Sequence, residues 1–424
     1  MVTSRQQTVS STRRDAWVEV DLGAIEHNVR VIQSWLQPAA GRPLPEPAKA
    51  SQMRAPRLMA VVKSDAYGHG AAGVAEVLIA AGAEWFAVAS VDEGCQLRGI
   101  DSKIPILLLS PVPAWAIPTA LEFGLDLTVT NAAQVHEIAV VAARKHAQAR
   151  IHLKVDTGMH RLGIAPQYVD VVLNEIKKSD HLHLISVFSH LACADDRDAV
   201  TYQNAQFSEI VQRIRQIEPE LRQRHGGEID EPILFHLASG DAARRFPDTH
   251  YDMVRTGLVL YGLESRISSD IVIPAMSVRG RINHVSEIAE GESVGYNWTW
   301  TARRRTRLAS IPIGYADGVD RRLSNNLFGL VMGEQIPQVG TISMDQMLFD
   351  ITDAPEAQEG DVVTLIGTDG ERNIQLSTWA NLLDTITYEL ACRMRVRLPR
   401  IYTRHRHQSS GINSSKTSGN HKVI

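Results

Sequence analysis

Short runs rich in Val, Ile and Leu recur along the first two thirds of the chain, and segments of helix-forming composition separate them. Each run has the length and composition of a strand in a parallel sheet that is covered on both faces. Eight such strand–helix units predict an α/β protein built on a (β/α)8 barrel of the TIM type. The runs are 58–63, 85–89, 105–110, 126–130, 150–156, 182–190, 233–239 and 253–261, and the clearest helical segments are 71–81 and 202–217.

The pattern changes at about residue 271, where strand-like runs continue but little helix-forming sequence separates them. Glycine-rich turns lie between these runs, which is typical of an antiparallel sheet. The 424 residues of the chain are enough for a large barrel followed by a smaller, mostly antiparallel β domain. The runs are 271–278, 306–315, 330–331, 347–351 and 361–366, and a helix-like segment, 377–388, precedes a last strand that ends near Ile401.

These patterns place the barrel in residues 16–270 and the β domain in residues 271–402. A segment rich in Pro and Ala, 37–57, interrupts the barrel and resembles an inserted loop between a helix and a strand. The polar N-terminus, 1–15, and the Ser-, Asn- and His-rich tail, 403–424, carry too little apolar sequence to bury a core. We therefore expect both ends of the chain to be disordered.

The composition excludes several classes of function. Basic residues number 44 and acidic residues 48, so neither nucleic acid nor an anionic membrane is expected as the main partner. The three cysteines, Cys95, Cys193 and Cys392, are far apart and show no metal-ligand spacing, which predicts neither a disulfide framework nor a metal site. No apolar segment has the character of a secretory signal or the length of a membrane span, and we expect a cytoplasmic protein.

An apolar strand that ends in a lysine is the first candidate for chemistry. Residues 58–63 read Leu-Met-Ala-Val-Val-Lys, and Ser-Asp-Ala-Tyr-Gly-His-Gly follows. Barrel enzymes place their active sites at the carboxyl ends of the strands, where a partly desolvated lysine is a good Schiff-base nucleophile. Residues 68–73 also match the dinucleotide fingerprint, but their first glycine lies too far beyond the strand, and a single match is a weak signal.

The segment 60–70, Ala-Val-Val-Lys-Ser-Asp-Ala-Tyr-Gly-His-Gly, closely resembles the pyridoxal-phosphate (PLP) attachment signature of the alanine racemase family. The resemblance continues in order from residues 17–22 to residues 398–402, and it leaves out only the two tails and the insertion. It implies a PLP-binding barrel, a β domain and a homodimer whose active sites are shared across the interface. It also implies alanine as the substrate, and a role in supplying D-alanine for peptidoglycan.

By this resemblance, Lys63 and Tyr296 are the catalytic bases. Lys63 matches the lysine that holds the cofactor covalently and becomes the base on one face of the substrate Cα once it is displaced. Tyr296, in the segment 291–299, matches the tyrosine that reaches the active site of the other subunit and acts on the opposite face. Lysine and tyrosine have high ordinary pKa values, so the site must lower them.

Further cofactor contacts are implied in the loops after other strands. Tyr67 and Tyr388 match tyrosines that contact the cofactor phosphate. Arg161 matches the arginine that binds the phenolic oxygen of the cofactor and helps to position substrate. His190 matches a histidine near the face of the pyridine ring, and Arg255 matches the arginine that pairs with the ring nitrogen.

The phosphate loop departs from the pattern of the family. Ser239 and Gly240 stand where the family usually has Asn-Ser, which leaves the individual phosphate contacts open. Gly257 would allow a close approach of backbone to phosphate. Two residues are expected to support the side chains that contact the cofactor. Lys154 matches a lysine that is often carbamylated in the family, and the new carboxylate then holds the arginine that Arg161 matches. His236 would orient Arg255.

Two segments of the β domain resemble parts of the substrate entrance. Tyr315, in the segment 313–318, matches a residue that gates the entrance. Met344 and Asp345, in the segment 340–346, match a backbone N–H that binds the substrate carboxylate and an acidic residue of the entrance. With Arg161, these residues form the expected substrate site.

Three other functions share parts of this pattern. A racemase of broader specificity would have the same fold, although such relatives can be periplasmic and this chain shows no signal. PLP-dependent amino-acid decarboxylases share the architecture, but they tend to carry a multi-glycine phosphate loop and a catalytic cysteine near the C-terminus, and Cys392 lies outside such a motif. A non-enzymatic PLP carrier would keep the lysine strand but lack the β domain that contains Tyr296 and Tyr315.

Overall fold

The computed structural model describes residues 14–37, 55–101, 103–223, 232–264, 266–269, 271–394, 397–405 and 407. The disorder expected at both ends of the chain and the Pro- and Ala-rich insertion fall mostly outside these residues.

The first part of the described chain alternates strands with helices. Its strands are β1 (Ala16–Asp21), β2 (Arg57–Val61), β3 (Trp85–Val88), β4 (Ile106–Leu108), β5 (Leu127–Val129), β6 (Ala149–Lys154), β7 (Leu182–Phe188), β8 (Leu234–His236) and β9 (Met253–Thr256). Its helices are α1 (Leu22–Leu36), the single turn α2 (Lys63–Tyr67), α3 (Ala71–Ala80), α4 (Val91–Arg98), α5 (Ile117–Glu122), α6 (Ala132–Arg144), α7 (Val169–Ile176), α8 (Arg197–Gln223) and α9 (Ala242–Arg245).

The second part consists mainly of strands. They are β10 (Met276–Arg281), β11 (His284–Ile288), β12 (Ser293–Val294), β13 (Trp300–Thr301), β14 (Thr306–Ile311), β15 (Phe328–Val331), β16 (Glu334–Val339), β17 (Met347–Asp350), β18 (Val362–Asp369), β19 (Arg372–Ile374) and β20 (Arg400–Thr403). Two helices, α10 (Leu376–Leu383) and α11 (Thr387–Arg393), precede the last strand.

Within the described residues, strands β2 to β9 form a ring of parallel strands. They pair in two groups, β4-β3-β2-β9 and β5-β6-β7-β8. Two single parallel bridges join the groups: Leu107↔Asp126 where β4 meets β5, and Ser239↔Arg255 where β8 meets β9. This ring confirms the barrel that the alternation of strands and helices predicts.

Alternation along the strands divides the apolar side chains between the inside of the ring and the surrounding helices. Met59 and Val61 of β2 belong to an apolar cluster within the ring, together with Trp85 and Phe188. The intervening residues of β2, including Leu58, pack in the larger core that contains the helices. Because both faces of these strands are buried, they appear in the sequence as continuous apolar runs.

The second part of the chain forms a mostly antiparallel sheet with the strand order β11-β14-β17-β16-β15-β18-β10-β1-β20, which confirms the predicted β domain. Strand β1 precedes the barrel along the chain but lies in this sheet. Val18 of β1 is paired with Val278 of β10 on one side and with Arg400 of β20 on the other. The first and last strands of the described chain are therefore neighbours in this sheet.

Some elements differ from the sequence-based predictions. The eighth barrel strand ends at Thr256 rather than at residue 261, and a 3-10 turn, Leu258–Tyr261, follows it. The helix predicted over 377–388 is divided in two, because Asp384 has a left-handed backbone with a φ of 52°. The first strand of the β domain begins at Met276 rather than at residue 271. Apolar composition alone does not report such changes of backbone direction.

None of the helices in the described residues is both long enough and apolar enough to cross a lipid bilayer.

Candidate active site

Lys63 begins the turn α2, two residues beyond the end of β2 and at the carboxyl end of the barrel. The strand that was predicted to end in this lysine therefore stops at Val61. The backbone after Lys63 is left-handed over consecutive non-glycine residues, with φ values of 54° at Ser64 and 52° at Tyr67. Such residues cost of order 1–3 kcal/mol each and persist where surrounding contacts hold them, often at functional sites.

The carboxylate of Glu93 holds this turn in place. One oxygen of Glu93 accepts a hydrogen bond from the Ser64 N–H at 2.7 Å, and the other accepts from the Ala89 N–H at 2.8 Å. Glu93 lies in the first turn of α4 and forms a capping box with Ser90. The Ser-x-x-Glu pattern predicts the cap, but it gives no sign of the hydrogen bond to Ser64, so Glu93 was not among the site residues expected from the sequence.

Four cationic side chains lie near one another at this end of the barrel: Lys63, Lys154, Arg161 and Arg255. Burial is the main cause that lowers the pKa of Lys63, and the charge of Arg161 lowers it further. Burial also lowers the pKa of Lys154 to about 8, with further contributions from Arg255, Arg161 and Lys63. A bound anion would be favoured here, because the neighbouring cations disfavour the charge on Lys63 and on Lys154.

Arg255 is buried and donates hydrogen bonds from two nitrogen atoms of its guanidinium group. Nη1 contacts Nδ1 of His236 at 2.8 Å, and Nη2 contacts the Ser189 carbonyl oxygen at 2.6 Å and Nδ1 of His190 at 3.3 Å. Burial lowers the pKa of Arg255 to about 9, so the guanidinium stays charged at neutral pH. These contacts agree with the prediction that His236 orients Arg255.

The ring of Phe188 packs against three polar groups of the site. His236 stacks on it with the ring centroids 4.9 Å apart. The Lys154 Nζ lies 5.1 Å from the ring centroid and the Arg255 Cζ lies 5.3 Å from it. The Phe188 ring therefore gives both cations an aromatic contact without neutralising either of them.

The residues expected around the phosphate meet beside β9. A Cβ atom added to Gly257 would lie 2.8 Å from the Tyr67 hydroxyl oxygen, so only a glycine leaves room for this contact. Burial raises the pKa of Tyr67, and the nearby Cys392 and Tyr388 raise it further. Ser239 bridges to Arg255 in the adjacent strand, and Gly240 has a left-handed backbone with a φ of 49°.

The last strand of the chain also contacts the loop that follows the lysine turn. The Arg400 guanidinium donates to the Gly68 carbonyl oxygen from Nε at 3.1 Å and from Nη2 at 2.8 Å. The Tyr402 hydroxyl donates to the His69 carbonyl oxygen at 3.3 Å. Strand β20 thus connects the β-domain sheet to the segment that presents Lys63.

The three β-domain segments of the expected site lie together on the surface of that domain. The Thr341 hydroxyl donates to the Tyr296 carbonyl oxygen at 2.9 Å. The Tyr315 N–H donates to the Ser343 carbonyl oxygen at 3.0 Å. Tyr296, Tyr315 and Met344 expose their side chains, Tyr296 to 68%. Asp345 forms an ion pair with Arg397 at 2.7 Å.

The structure thus brings the expected site residues into two groups. Within the described residues, no hydrogen bond or ion pair joins the Tyr296 group to Lys63 in the same chain. The part of the chain that is described also contains no cluster of three or more His, Cys, Asp or Glu residues placed to bind a metal ion.

Comparisons with known proteins agree on one family. The model of the alanine racemase N-terminal domain matches residues 48–265, and that of the C-terminal domain matches residues 275–402. An alanine racemase from Nostoc sp. is 37% identical over 397 residues, which cover 91% of this chain and 95% of the relative.

Solved structures give the same result. An alanine racemase from Clostridium difficile 630 superposes with a TM-score of 0.80 at 28% identity, covering 93% of this chain and 97% of the other. The structure of an alanine racemase from Bartonella henselae with covalently bound pyridoxal phosphate gives a TM-score of 0.76 at 26% identity, with coverage of 92% and 99%.

Proposed function

The chain belongs to the alanine racemase family, and we propose that it interconverts L-alanine and D-alanine with pyridoxal 5'-phosphate as its cofactor. The observation that carries the proposal is Lys63 on a strained turn at the carboxyl end of the barrel, beside the buried cations Lys154 and Arg255. We infer that the product serves the synthesis of peptidoglycan in the cytoplasm.

The residues of the barrel fit this cofactor. Its phosphate and phenolic oxygen are anionic, and the site holds more positive than negative charge. Lys63 would hold the cofactor covalently, and Arg161 would bind its phenolic oxygen. Arg255 would face the ring nitrogen, and His190 would lie near the ring. The phosphate would lie where backbone and hydroxyl donors meet, among Tyr67, Ser239, Gly240, Gly257 and Tyr388. When bound, the cofactor withdraws the negative charge that forms at the substrate Cα after proton loss.

The proton transfers require a base on each face of the substrate Cα. The lowered pKa of Lys63 increases the fraction of neutral amine at its Nζ, which can accept a proton and return it. Arg255 remains a donor and leaves an opposing ring nitrogen without a proton. That arrangement limits charge withdrawal and favours the direct return of the proton to Cα over side reactions.

The second base comes from the other subunit of a homodimer in this proposal. Tyr296 is exposed to 68% and the neighbouring Trp298 to 74%, and exposed aromatic side chains of this kind are common at protein interfaces. The hydroxyl oxygen of the partner subunit's Tyr296 would donate and accept the proton on the face opposite Lys63. Tyr315, Met344 and Asp345 would then surround the entrance for substrate.

Proton NMR with L-alanine in heavy water tests the proposal. The purified protein loaded with PLP should remove the α-proton signal while chiral analysis detects D-alanine, and the Lys63→Ala variant should do neither. Exchange without inversion would contradict the role of Tyr296. If alanine is not exchanged but another amino acid is, the substrate assignment is wrong. Release of carbon dioxide without racemisation would identify a decarboxylase of the same fold.

A further inference from the structure

A chain of buried polar side chains continues from Arg255 through the interior of the barrel. His236 Nδ1 contacts Arg255 Nη1 at 2.8 Å, and His236 Nε2 contacts Ser186 Oγ at 2.7 Å. Ser186 Oγ contacts His152 Nδ1 at 2.5 Å, and His152 Nε2 contacts Asp126 Oδ2 at 3.0 Å. All five residues are at most 3% exposed. The chain runs from the carboxyl end of the barrel to Asp126, just before β5.

The chemistry of its two ends fixes the direction of every hydrogen bond in this chain. A guanidinium group can only donate, so His236 must accept at Nδ1 and carry its proton on Nε2. Ser186 then accepts from His236 and has its single proton left to donate to Nδ1 of His152. His152 in turn carries its proton on Nε2 and donates it to Asp126, whose carboxylate can only accept.

The surroundings support neutral imidazole rings at both histidines. Burial is the largest cause that lowers the pKa of His236, and the charge of Arg255 lowers it further. Burial also lowers the pKa of His152, against the opposing effect of Asp126. The other oxygen of Asp126 accepts from Nε of Arg150 at 2.9 Å, which gives the carboxylate a charged partner.

We propose that Ser186, His152 and Asp126 are positioning residues that hold His236 in its Nε2–H tautomer and thereby keep Arg255 directed at the cofactor site. The opposite tautomer of His236 would place an N–H against the N–H of Arg255, and the guanidinium would lose this support. The part of the inference that concerns Arg255 and the cofactor rests on the proposed function. The tautomers of the two histidines do not depend on it.

The tautomers can be read directly by NMR of protein labelled with 15N at histidine. A bare ring nitrogen and a protonated one give well-separated 15N signals, and the His152→Gln and His236→Gln variants assign them. We expect His152 and His236 each to show a bare Nδ1 and a protonated Nε2, with or without PLP. A protonated Nδ1 in His236, or an imidazolium at either residue, would overturn the proposal even if the protein is an active racemase.

Substitution of Ser186 tests whether this chain of hydrogen-bonded side chains influences the cofactor site. In Ser186→Ala the Nε2–H of His236 loses its buried acceptor, so the Nδ1–H tautomer should become detectable beside the Nε2–H tautomer that Arg255 alone still favours. The value of kcat/KM should fall roughly tenfold, as for other residues that orient a contact residue. The absorption band of the bound PLP should shift, because the contact of His236 with Arg255, the group proposed to face the ring nitrogen, is weakened. Ser186→Thr, which keeps the hydroxyl, should restore the tautomer and the band.

The Thr249→Val variant is a matched control, because it also removes a buried hydroxyl that donates a hydrogen bond, here to the Phe246 carbonyl oxygen at 2.7 Å. It should leave the tautomers and the PLP band unchanged. If Thr249→Val and Ser186→Ala lower kcat/KM equally with no change in the band, the loss is one of general stability and the positioning role is refuted. Failure to bind PLP in the unsubstituted protein, with the expected tautomers present, would refute only the proposed function.

Discussion

At the scale of a single residue, Lys154 carries a buried positive charge that is unfavourable for folding. Its side chain is buried, and its pKa is lowered to about 8, whereas an unfolded lysine titrates near 10.5. The unfolded chain therefore binds more protons than the folded chain between these two pH values. By linkage, the folded state gains stability as the pH rises from about 8 to about 10.5.

We expect the Lys154→Met variant to stabilise the PLP-free protein at pH 7.5, by roughly 2–3 kcal/mol at most, since the penalty for a buried charge is removed. The gain should shrink towards zero as the pH approaches 10.5. Thermal unfolding in buffer free of carbon dioxide measures it, because a neutral lysine can react with carbon dioxide. Lys103→Met, at an exposed position, is the control. A gain that does not vary with pH would show that packing, rather than charge, is responsible.

The fit between Gly257 and Tyr67 leads to a second prediction at this scale. The Gly257→Ala variant should bind PLP at least tenfold more weakly, because its methyl group would displace the Tyr67 ring from the proposed phosphate site. Titration with PLP measures the affinity. Gly99→Ala changes a glycine whose added Cβ would meet only the Gln96 carbonyl oxygen at 3.3 Å, and it should bind PLP normally. Equal affinity in all three proteins would place the phosphate elsewhere.

At the scale of the element, the turn α2 depends on a contact from the neighbouring helix. Glu93 fixes the Ser64 N–H, and its negative charge raises the pKa of Lys63, against the larger effects of burial and Arg161. The Glu93→Gln variant should therefore lower the pKa of Lys63 further, by about half a unit or more.

The rate of PLP uptake as a function of pH tests this prediction, because only the neutral amine attacks an aldehyde. The midpoint of the profile should move to lower pH in Glu93→Gln. Asp92→Asn removes the same charge from an adjacent, exposed position and should leave the midpoint in place. A shift of equal size in both variants would mean that Glu93 acts only through the net charge of the region.

The same element shows how far the sequence determines the fold. The barrel strands were predictable, because burial on both faces produces continuous apolar runs. The left-handed turn after Lys63 was not, since Ser64 and Ala66 have no intrinsic preference for that backbone and the Ser64 N–H is held by Glu93, which is distant in sequence. The contact between His152 and Ser186 was also invisible, because it joins neighbouring strands that are far apart in sequence. The roles of the site residues came from the family resemblance rather than from local pattern.

At the scale of the whole molecule, the proposed sharing of Lys63 and Tyr296 between two subunits predicts complementation between subunits. Lys63→Ala and Tyr296→Phe homodimers should both be inactive as racemases. A mixed dimer would contain one site with an intact Lys63 and the intact Tyr296 of the partner subunit. After random reassortment of equal amounts, roughly a quarter of the original activity should return.

Racemase activity of the unmixed and reassorted proteins is the measurement. Sites formed within one chain would remain inactive in every combination, because no single chain would contain both bases. Reassortment with wild-type protein labelled by mass provides the control that subunits exchange under the conditions used.

The pairing of β1 with β20 has a consequence for the order in which the molecule is made. Strand β1 leaves the ribosome before the barrel strands, but Arg400, its neighbour in the sheet, is translated after them. Arg400 and Tyr402 also hold the loop after the lysine turn. A nascent chain thus contains Lys63 long before the contacts from β20 to the following loop exist, and we expect enzymatic competence to begin only after β20 has been translated.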